Sequence, residues 1–354
     1  MKKGIVSKND SYWQGHPDVA YFQGNFYVVF RQSQKHRAVS HTQIMLTRSR
    51  NGMRYNQPVC IAQTSDRYNC PRLSVINNML WVICDCVKKG NDFIEDENNE
   101  SSTSILLWCS NNGVDWSSPI QTNITGILPD RICSTNDNGF LIATHTQKKQ
   151  PITEKDKDLN ENWLSNKGYL AQHVWKTDQN LYLPNWKRYS VAEKQGFNFC
   201  EASICNTGEE LICLLRENSQ RGDPCYWTAS TNNGISWCEP LKTRMFGGHR
   251  PVLGKLSSGR YLTTYREQSC SHIPGYWAKN VFACLTNEQS MHSRTQPCLK
   301  SVILPLDHDN NARSDGGYTG WVETEDKQIY IVNYITKDAP KAYIVWYLIE
   351  ENEF

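Results

Sequence analysis

Residues 200 to 217 read CEASICNTGEELICLLRE, which is two short apolar runs joined by the polar turn Asn206-Thr207-Gly208. Apolar runs of this length, bounded by turn residues, are typical of β-strands, and an Asn/Gly turn supplies the positive φ angles that a tight hairpin needs. The segment therefore predicts a β-hairpin. Five more segments have the same form, and they begin at His16, Cys70, Leu128, His249 and Tyr318.

Each hairpin is followed by a third apolar run, such as SILLWCS at 104–110, CYWTAS at 225–230 and NVFACL at 280–285. Units of four strands that repeat every ~40–50 residues are typical of propeller blades. We expect an all-β fold, a six-bladed β-propeller of four-stranded antiparallel blades in which residues 1–354 form a single domain. The last unit, AYIVWYLIEE, ends near the C-terminus, so the N-terminal run KKGIVSK is predicted to supply its missing strand and to close the ring.

Two polar stretches fall outside this repeat. Residues 88–103 are predicted to form a loop. The highly charged run 147–167 (QKKQPITEKDKDLNENWLSNK) is predicted to be a solvated surface loop, and a lid over the central pocket is the alternative.

The composition is that of an ordinary globular chain, with 354 residues, 39% hydrophobic and 21% charged residues, and a net charge of +2. A net charge this small creates no strong positive potential that would attract nucleic acid or a membrane surface, and neither is expected as a partner. The chain has no long uncharged apolar run, and its N-terminus lacks the apolar core of a secretory signal. The 14 cysteines form no C-x-x-C pair. We therefore expect a cytoplasmic, reduced chain that requires no metal and no cofactor.

A turn motif follows the third strand of the fourth unit. Residues 230–237 read STNNGISW, which fits the pattern S-x-[DN]-x-G-x-[ST]-W, called the Asp box, and weaker forms occur at 109–116 and 52–55. The motif is structural, because Asn or Asp binds nearby backbone N–H groups and Gly takes the left-handed turn. With these motifs at blade spacing, the chain resembles the sialidase superfamily, the neuraminidases and their BNR-repeat relatives. The resemblance covers nearly the whole chain and is sharpest from Glu201 to Tyr334.

The resemblance implies a set of catalytic residues. Sialidases have a Glu at the start of the fourth blade and an Arg at the end of its second strand, and here Glu201 and Arg216 occupy these places. Their Tyr opens the sixth blade, where this chain has Gly317-Tyr318-Thr319. Tyr318 would be the nucleophile and Glu201 its base. A phenol with a pKa of about 10 needs such a carboxylate to become nucleophilic.

Three family positions differ in this chain. The Arg of the family's R-I-P segment is replaced in Gly15-His16-Pro17, and a third Arg aligns with Lys279. The loop that holds the family's general acid, an Asp, aligns with residues 32–37, which contain no Asp. Asp18 is our candidate for the acid, and a turn Asp that caps the backbone after Pro17 is the alternative.

In a propeller, the start of each innermost strand and the end of its neighbour face one central funnel. This rule predicts that His16, Asp130 and His145 lie on the funnel rim together with the catalytic candidates and a substrate-binding set. That set consists of Arg31, Arg72, Arg131, Arg216, Arg250, Arg266, His249 and Lys279. Arginine presents a planar fork to a carboxylate or sulfate, so the set predicts a site for an anionic carbohydrate. The alternative is that these arginines pair with Asp or Glu and join the blades.

Four functions fit the pattern. The favoured hypothesis is a retaining exo-glycosidase of the sialidase type that releases sialic acid or a related acidic sugar. A propeller lyase or hydrolase acting on uronate-containing or sulfated glycans would use His, Tyr and Arg in the same funnel. The third alternative is a glycan-binding propeller without catalysis, and the fourth is a propeller with no sugar site.

Overall fold

The computed structural model describes residues 1–38, 40–88, 100–148, 168–178, 180–219, 223–268, 279–312 and 314–354. Within these ranges the strands form six antiparallel sheets, five of them built from consecutive strands and the sixth from the last three strands with the N-terminal strand. The fold is a six-bladed β-propeller, as the sequence predicts. The charged run from 149 to 167 and most of the loop at 88–103 lie outside the described residues.

The first three blades come from the N-terminal half of the chain. Blade 1 contains β2 (Trp13–Phe22), β3 (Asn25–Ser33), β4 (Thr42–Ser49) and β5 (Val59–Thr64). Blade 2 contains β6 (Arg67–Tyr68), β7 (Arg72–Ile76), β8 (Met79–Val87), β9 (Thr103–Ser110) and β10 (Ile120–Gln121). Blade 3 contains β11 (Cys133–Ser134), β12 (Gly139–Lys148), β13 (Tyr169–Asp178) and β14 (Lys187–Ala192).

The C-terminal half supplies the rest. Blade 4 contains β15 (Phe199–Asn206), β16 (Leu211–Glu217), β17 (Pro224–Ser230) and β18 (Leu241–Phe246). Blade 5 contains β19 (Gly248–Lys255), β20 (Tyr261–Glu267), β21 (Asn280–Thr286), the one-turn helix α1 (Glu288–Met291) and β22 (Ser301–His308). Blade 6 contains β23 (Thr319–Glu323), β24 (Ile329–Ile335), β25 (Tyr343–Ile349) and the N-terminal strand β1 (Lys2–Ser7). Two 3-10 turns occur at Glu100–Ser102 and Glu351–Glu353.

The N-terminal strand closes the ring. β1 pairs antiparallel with β25, from Lys2 opposite Leu348 to Ser7 opposite Ile344. The sixth blade is thereby completed by the N-terminal run, which confirms the prediction. Closure of this kind covers the sheet edges that an open array of blades would expose. Helices in the described ranges are one turn long, so none has the length to cross a bilayer.

The blades pack face to face through apolar side chains that alternate along the strands. One apolar cluster joins the facing sheets of blades 5 and 6, and another joins blades 4 and 5 around the fully buried Trp227. Every cysteine in the described ranges is a free thiol, and Cys84, Cys213 and Cys284 are buried in these layers. The cysteines therefore pack as small apolar residues.

A bulge recurs at the start of the innermost strand in three blades. The inner strand holds one residue more than its partner in blades 1, 4 and 5, and the extra residues are His16, Glu201 and Arg250. Each has a left-handed backbone, with φ of 53°, 48° and 51° respectively. Such a bulge re-aims a side chain that the regular pleat would point into the sheet. The three residues are therefore directed by the same device in three blades.

Four polar side chains near the starts of the inner strands join neighbouring blades around the axis. Each accepts a hydrogen bond from a backbone N–H group of the next inner strand. The pairs are Asp18 with Leu73 (2.9 Å), Ser74 with Ile132 (2.8 Å), Asp130 with Ile204 (2.9 Å) and Ser203 with Leu253 (3.0 Å). These bonds satisfy buried backbone groups that lie beyond the reach of the strand ladders.

Arg72, Arg131 and Arg250, which we call the axial arginines, cross the centre of the ring. Arg250 donates to the carbonyl groups of Leu128 and Pro129 in blade 3, and Arg72 donates to that of Thr319 in blade 6. Arg131 binds both carboxylate oxygens of Asp18, with its Nε 2.9 Å from Oδ2. The axial arginines therefore join blades that are not neighbours in the ring, as in the alternative that these arginines join the blades.

Asp18 is the only carboxylate that Arg131 contacts among the described residues, and it has no exposed surface. Burial raises the pKa of Asp18, but the charges of Arg131 and Arg72 outweigh it and hold the pKa below its usual value. We expect Asp18→Asn to lower the free energy of unfolding by about 3–5 kcal/mol, because Arg131 loses its carboxylate partner and the buried Arg72 keeps only Asp130. Guanidinium chloride unfolding monitored by tryptophan fluorescence measures this change.

The control is Glu239→Gln, which breaks a surface pair with Lys194 between side chains that are 74% and 54% exposed. Exposed pairs contribute about 1 kcal/mol or less, so this variant should unfold close to the wild type. Equal stability of Asp18→Asn and Glu239→Gln would contradict the assignment of Asp18 to the joining of blades.

Candidate active site

Tyr318, Glu201 and Arg216 meet at the funnel end of the axis. Glu201 lies at the bulge of β15, Arg216 lies near the end of β16, and Tyr318 directly precedes β23. Oη of Tyr318 donates to Oε1 of Glu201 at 2.6 Å. Nη1 of Arg216 lies 2.8 Å from both carboxylate oxygens and 3.1 Å from the phenol oxygen. The structure therefore brings together the three residues that the resemblance to sialidases selects, from two different blades.

The protonation of this triad follows from its burial and charges. Burial raises the pKa of Glu201, but Arg216 and Arg266 outweigh it and lower the pKa to about 2. Burial and the charge of Glu201 raise the pKa of Tyr318 above its ordinary value. At neutral pH the site therefore holds a neutral phenol that is hydrogen-bonded to an ionised carboxylate. The carboxylate is therefore placed to accept the phenol proton.

His145 lies behind Glu201, on β12 of blade 3. Its Nδ1 accepts from the backbone N–H of Glu201 at 3.4 Å, and the ring is buried. Burial lowers the pKa of His145 to about 3, so the ring is neutral at neutral pH. Since Nδ1 is an acceptor, the proton is on Nε2. His145 therefore supports the backbone of the bulge that carries Glu201.

Arg266 and His249 form the blade 5 side of the site. The guanidinium carbon of Arg266 lies 4.5 Å from the ring centroid of Tyr318, a cation–π contact, and one Nη lies 3.1 Å from Nδ1 of His249. Because arginine only donates, Nδ1 of His249 accepts and Nε2 carries the proton. Burial, with Arg216 and Arg266, lowers the pKa of His249 well below its usual value. His249 is therefore a neutral hydrogen-bond donor at the rim.

His16 occupies the position of the missing first arginine. Its ring stacks on Tyr318 with centroids 5.1 Å apart, and Nδ1 lies 2.9 Å from the carbonyl oxygen of Asn69. A carbonyl only accepts, so Nδ1 carries the proton. Burial and the charge of Arg31 lower the pKa of His16 well below its usual value. The position that supplies positive charge in sialidases by resemblance is therefore neutral here, and it supports the nucleophile ring.

A second cluster, centred on Asp315, lies beside the triad. The Asp315 carboxylate binds Nδ1 of His36 at 2.8 Å, Nε1 of Trp13 at 2.7 Å, Oη of Tyr334 at 3.3 Å and Nζ of Lys279 at 3.4 Å. We call these five residues the Asp315 cluster. Burial raises the pKa of Asp315, but the contacts with His36 and Lys279 outweigh it and hold the pKa far below its usual value. The cluster therefore contains an ionised carboxylate with four donors.

Lys279 is the substitute for the third family arginine. Burial and the charge of Arg266 lower its pKa to about 8, against the opposing effect of Asp315. Around Tyr318, the three cationic groups of Arg216, Arg266 and Lys279 face the carboxylates of Glu201 and Asp315. With the histidines neutral, this part of the funnel has an excess of positive charge. The excess favours an anionic ligand.

Other candidates from the sequence have structural partners. Arg72, Arg131 and Arg250 bind backbone carbonyl groups and Asp18 near the axis, and the charge of Arg250 also acts on Glu201 and Tyr318. Asp18 and Asp130 cap backbone N–H groups of the neighbouring blade. These contacts correct the expectation of a substrate-binding role for the axial arginines and of an acid role for Asp18.

Arg31 also lies behind the pocket wall. Its guanidinium carbon is 4.4 Å from the Trp13 ring centroid, and Nη1 binds Oδ1 of Asn69 at 2.9 Å. The side chain is buried and holds Trp13 and the His36 backbone carbonyl in place. It therefore shapes the wall.

Sequence reasoning missed Trp13, His36 and Asp315 as site residues. His36 lies in the segment 32–37, which the resemblance aligns with the loop of the family's general acid. Asp315 lies two residues before Gly317-Tyr318 in a Gly-rich run, and this closeness to the nucleophile was a usable signal. Trp277 and Ala278, next to Lys279, lie outside the described residues.

No protein-family model matches the sequence, and no curated protein matches it. Solved structures do match this chain in fold, and two of them are sialidases. Trypanosoma rangeli sialidase in complex with sialic acid has 12% identity and a TM-score of 0.65 over 96% of this chain, which spans 55% of that protein. A Hadza microbial sialidase has 12% identity and a TM-score of 0.68 over 97% of this chain and 66% of its own.

A protein of unknown function from Dyadobacter fermentans has 14% identity and a TM-score of 0.75, over 98% of this chain and 97% of its own. The chain thus spans little more than half the length of the trypanosomal sialidases but nearly all of the Dyadobacter protein. At these identities the likeness shows the fold. The sialidase-like propeller is common to all three structures.

Gly317 sets the approach of Tyr318 to Arg266. Its φ is +97°, and an added Cβ would lie 2.5–2.9 Å from side-chain atoms of Arg266. We expect Gly317→Ala to lower the free energy of unfolding by more than the backbone cost alone of about 1–2 kcal/mol, because Arg266 must also move. Guanidinium chloride unfolding curves measure the change.

Gly259→Ala is the matched control, because Gly259 has a φ of +85° with no atom within 4 Å of the added Cβ. This variant isolates the backbone cost. If the two alanine variants lose the same stability, the close packing of Arg266 against Gly317 does not constrain the site.

Proposed function

We propose that the protein is a retaining glycosidase that releases a terminal acidic sugar, sialic acid or a related one, with Tyr318 as nucleophile and Glu201 as its base. The observation that carries this proposal is the buried 2.6 Å hydrogen bond from Oη of Tyr318 to Glu201, bridged by Arg216. A fully buried phenol and carboxylate at a funnel end, with an arginine on both, are arranged for transfer of the phenol proton.

The chemistry proceeds in two displacements at the anomeric carbon. In the first, Oη of Tyr318 forms a bond to this carbon, its proton passes to Glu201, and the bond to the leaving-group oxygen breaks. In the second, water attacks the same carbon, the bond to Tyr318 breaks, and Glu201 returns the proton. A tyrosine suits an anionic sugar, because a carboxylate nucleophile would repel the substrate's own carboxylate.

The acid group of the sugar is proposed to bind on the blade 4 and blade 5 side. Arg216, Arg266 and Lys279 supply the positive charge there, and His249 offers an Nε2–H donor. Each charge-assisted hydrogen bond contributes roughly 1.5–3 kcal/mol. Because His16 is neutral, the opposite side of the Tyr318 ring supplies no cation to the sugar.

The test is hydrolysis of a panel of fluorogenic glycosides, including sialosides, other nonulosonates and uronides, by the wild type and by Tyr318→Phe. We expect turnover of an acidic glycoside by the wild type and a drop in kcat of at least about a hundredfold in Tyr318→Phe, because the nucleophile is removed. Tyr265→Phe, which changes a buried tyrosine packed on Phe282, is the control and should keep its activity.

Other outcomes assign other functions. Turnover that is insensitive to Tyr318→Phe overturns the tyrosine mechanism. Formation of an unsaturated product from a uronide, detected by its ultraviolet absorbance, assigns a lyase. Saturable binding of an acidic sugar by calorimetry without any turnover assigns a glycan-binding propeller.

A further inference from the structure

The proposed reaction needs a group that protonates the departing oxygen. Asp18 does not fit this task, because it is fully buried and its oxygens accept from Val19, Leu73 and Arg131. His36 differs in its surroundings. Its side chain is 36% exposed, in the loop after the first hairpin.

His36 lies on the same side of the site as the nucleophile. Its ring centroid is 5.3 Å from that of His16, which stacks on Tyr318 at 5.1 Å. The His36 ring also packs at 4.9 Å on Trp13. One aromatic ring therefore separates an exposed titratable nitrogen from Tyr318.

Asp315 fixes the orientation of His36. The ionised carboxylate only accepts, so Nδ1 of His36 carries a proton and Nε2 is left to exchange a proton with a ligand. The carboxylate would also stabilise the imidazolium ion. A carboxylate that orients a histidine and stabilises its charged form is a recurring element of acid–base sites.

The loop that carries Asp315 is itself fixed by a buried carboxylate. Oδ2 of Asp309 accepts from the backbone N–H groups of Asp315 (3.0 Å) and Thr336 (3.2 Å), and Oδ1 accepts from that of Lys337 (2.9 Å). Asp315 is thereby tied to the end of β24. The His36–Asp315 pair is held from both sides, by this loop and by Arg31 on the His36 carbonyl.

We propose that His36, oriented by Asp315, is the general acid and base of the reaction, a role that rests on the proposed glycosidase function. In the first displacement, Nε2–H of the imidazolium gives its proton to the leaving-group oxygen as that oxygen separates from the anomeric carbon. In the second displacement, Nε2 takes a proton from the attacking water. Each proton is thus returned over one turnover.

The charges around His36 set the pH at which it can donate. Burial lowers the pKa of His36, Asp315 raises it, and the facing Arg31 and Lys279 lower it, with a net decrease from the ordinary value. The rings of His16 and Tyr334 also face it and are uncharged at neutral pH. The donor is the protonated form, so kcat/KM should fall as pH rises through a pKa below about 6.5.

The first test compares His36→Gln with the wild type on two glycosides of the same acidic sugar. One has a 4-nitrophenyl leaving group, which departs without protonation, and the other has an alkyl or sugar leaving group. We expect a loss in kcat/KM, which reports the first displacement alone, of about 10²–10⁴-fold on the second and less than about tenfold on the first. His41→Gln, at an exposed histidine whose Nδ1 binds Ser40, is the control and should behave as the wild type.

The second test is the pH profile of Asp315→Asn. Removal of the negative charge lowers the pKa of His36, so the alkaline limb of kcat/KM should move to lower pH. The residual activity of His36→Gln on the alkyl or sugar glycoside should lack this limb. An unmoved limb in Asp315→Asn overturns the role of the pair.

The results separate this inference from the proposed function. Equal losses on both leaving groups, or none, in His36→Gln overturn the role of His36, even where Tyr318→Phe is inactive. If Tyr318→Phe stays active, the nucleophile proposal fails, and a loss confined to the poor leaving group still identifies His36 as the acid. Absence of turnover on every glycoside overturns both.

Discussion

The buried charges at the propeller axis constrain everything built around them. Six inner strands converge there, and their polar groups lose contact with water. The axial arginines donate to groups of blades that are not their neighbours, and Asp18 neutralises Arg131 and part of Arg72. Because each contact joins segments far apart in the chain, the blades are held in one relative arrangement. A second group of charged side chains, the candidate active site around Tyr318, lies on the funnel side of this layer.

The repeated bulge directs side chains both to the axis and to the candidate site around Tyr318. Left-handed backbone at His16, Glu201 and Arg250 re-aims three equivalent side chains, and their chemistry then diverges. Arg250 reaches across the axis, Glu201 binds the phenol of Tyr318, and His16 stacks on its ring. One backbone device therefore serves stability in one blade and the candidate site in two others.

The site differs from the pattern that the sialidase resemblance implies in the nature of its cations. The first arginine is replaced by a neutral histidine, and the third by Lys279, whose pKa of about 8 makes its charge sensitive to mild alkali. Positive charge is concentrated on blades 4 and 5 and on Lys279, beside the ionised Asp315. A ligand beside Tyr318 would therefore face charged side chains on one side of the ring and the aromatic rings of His16 and Trp13 on the other.

The sequence by itself determined the blades, because turn residues and alternating apolar runs are local signals that repeat six times. It also predicted that the N-terminal run closes the ring, because the last unit lacks one strand. The resemblance to sialidases that the sequence carries also selected Glu201, Arg216 and Tyr318, which lie at the starts and ends of blade strands. Only the tertiary structure decided which arginines face the funnel and which cross the axis. Both groups lie near the ends of hairpin strands in the sequence, and only the direction of the side chain distinguishes them. The His36–Asp315 pair joins residues 279 positions apart, and no local pattern encodes a contact that exists only after the ring has closed.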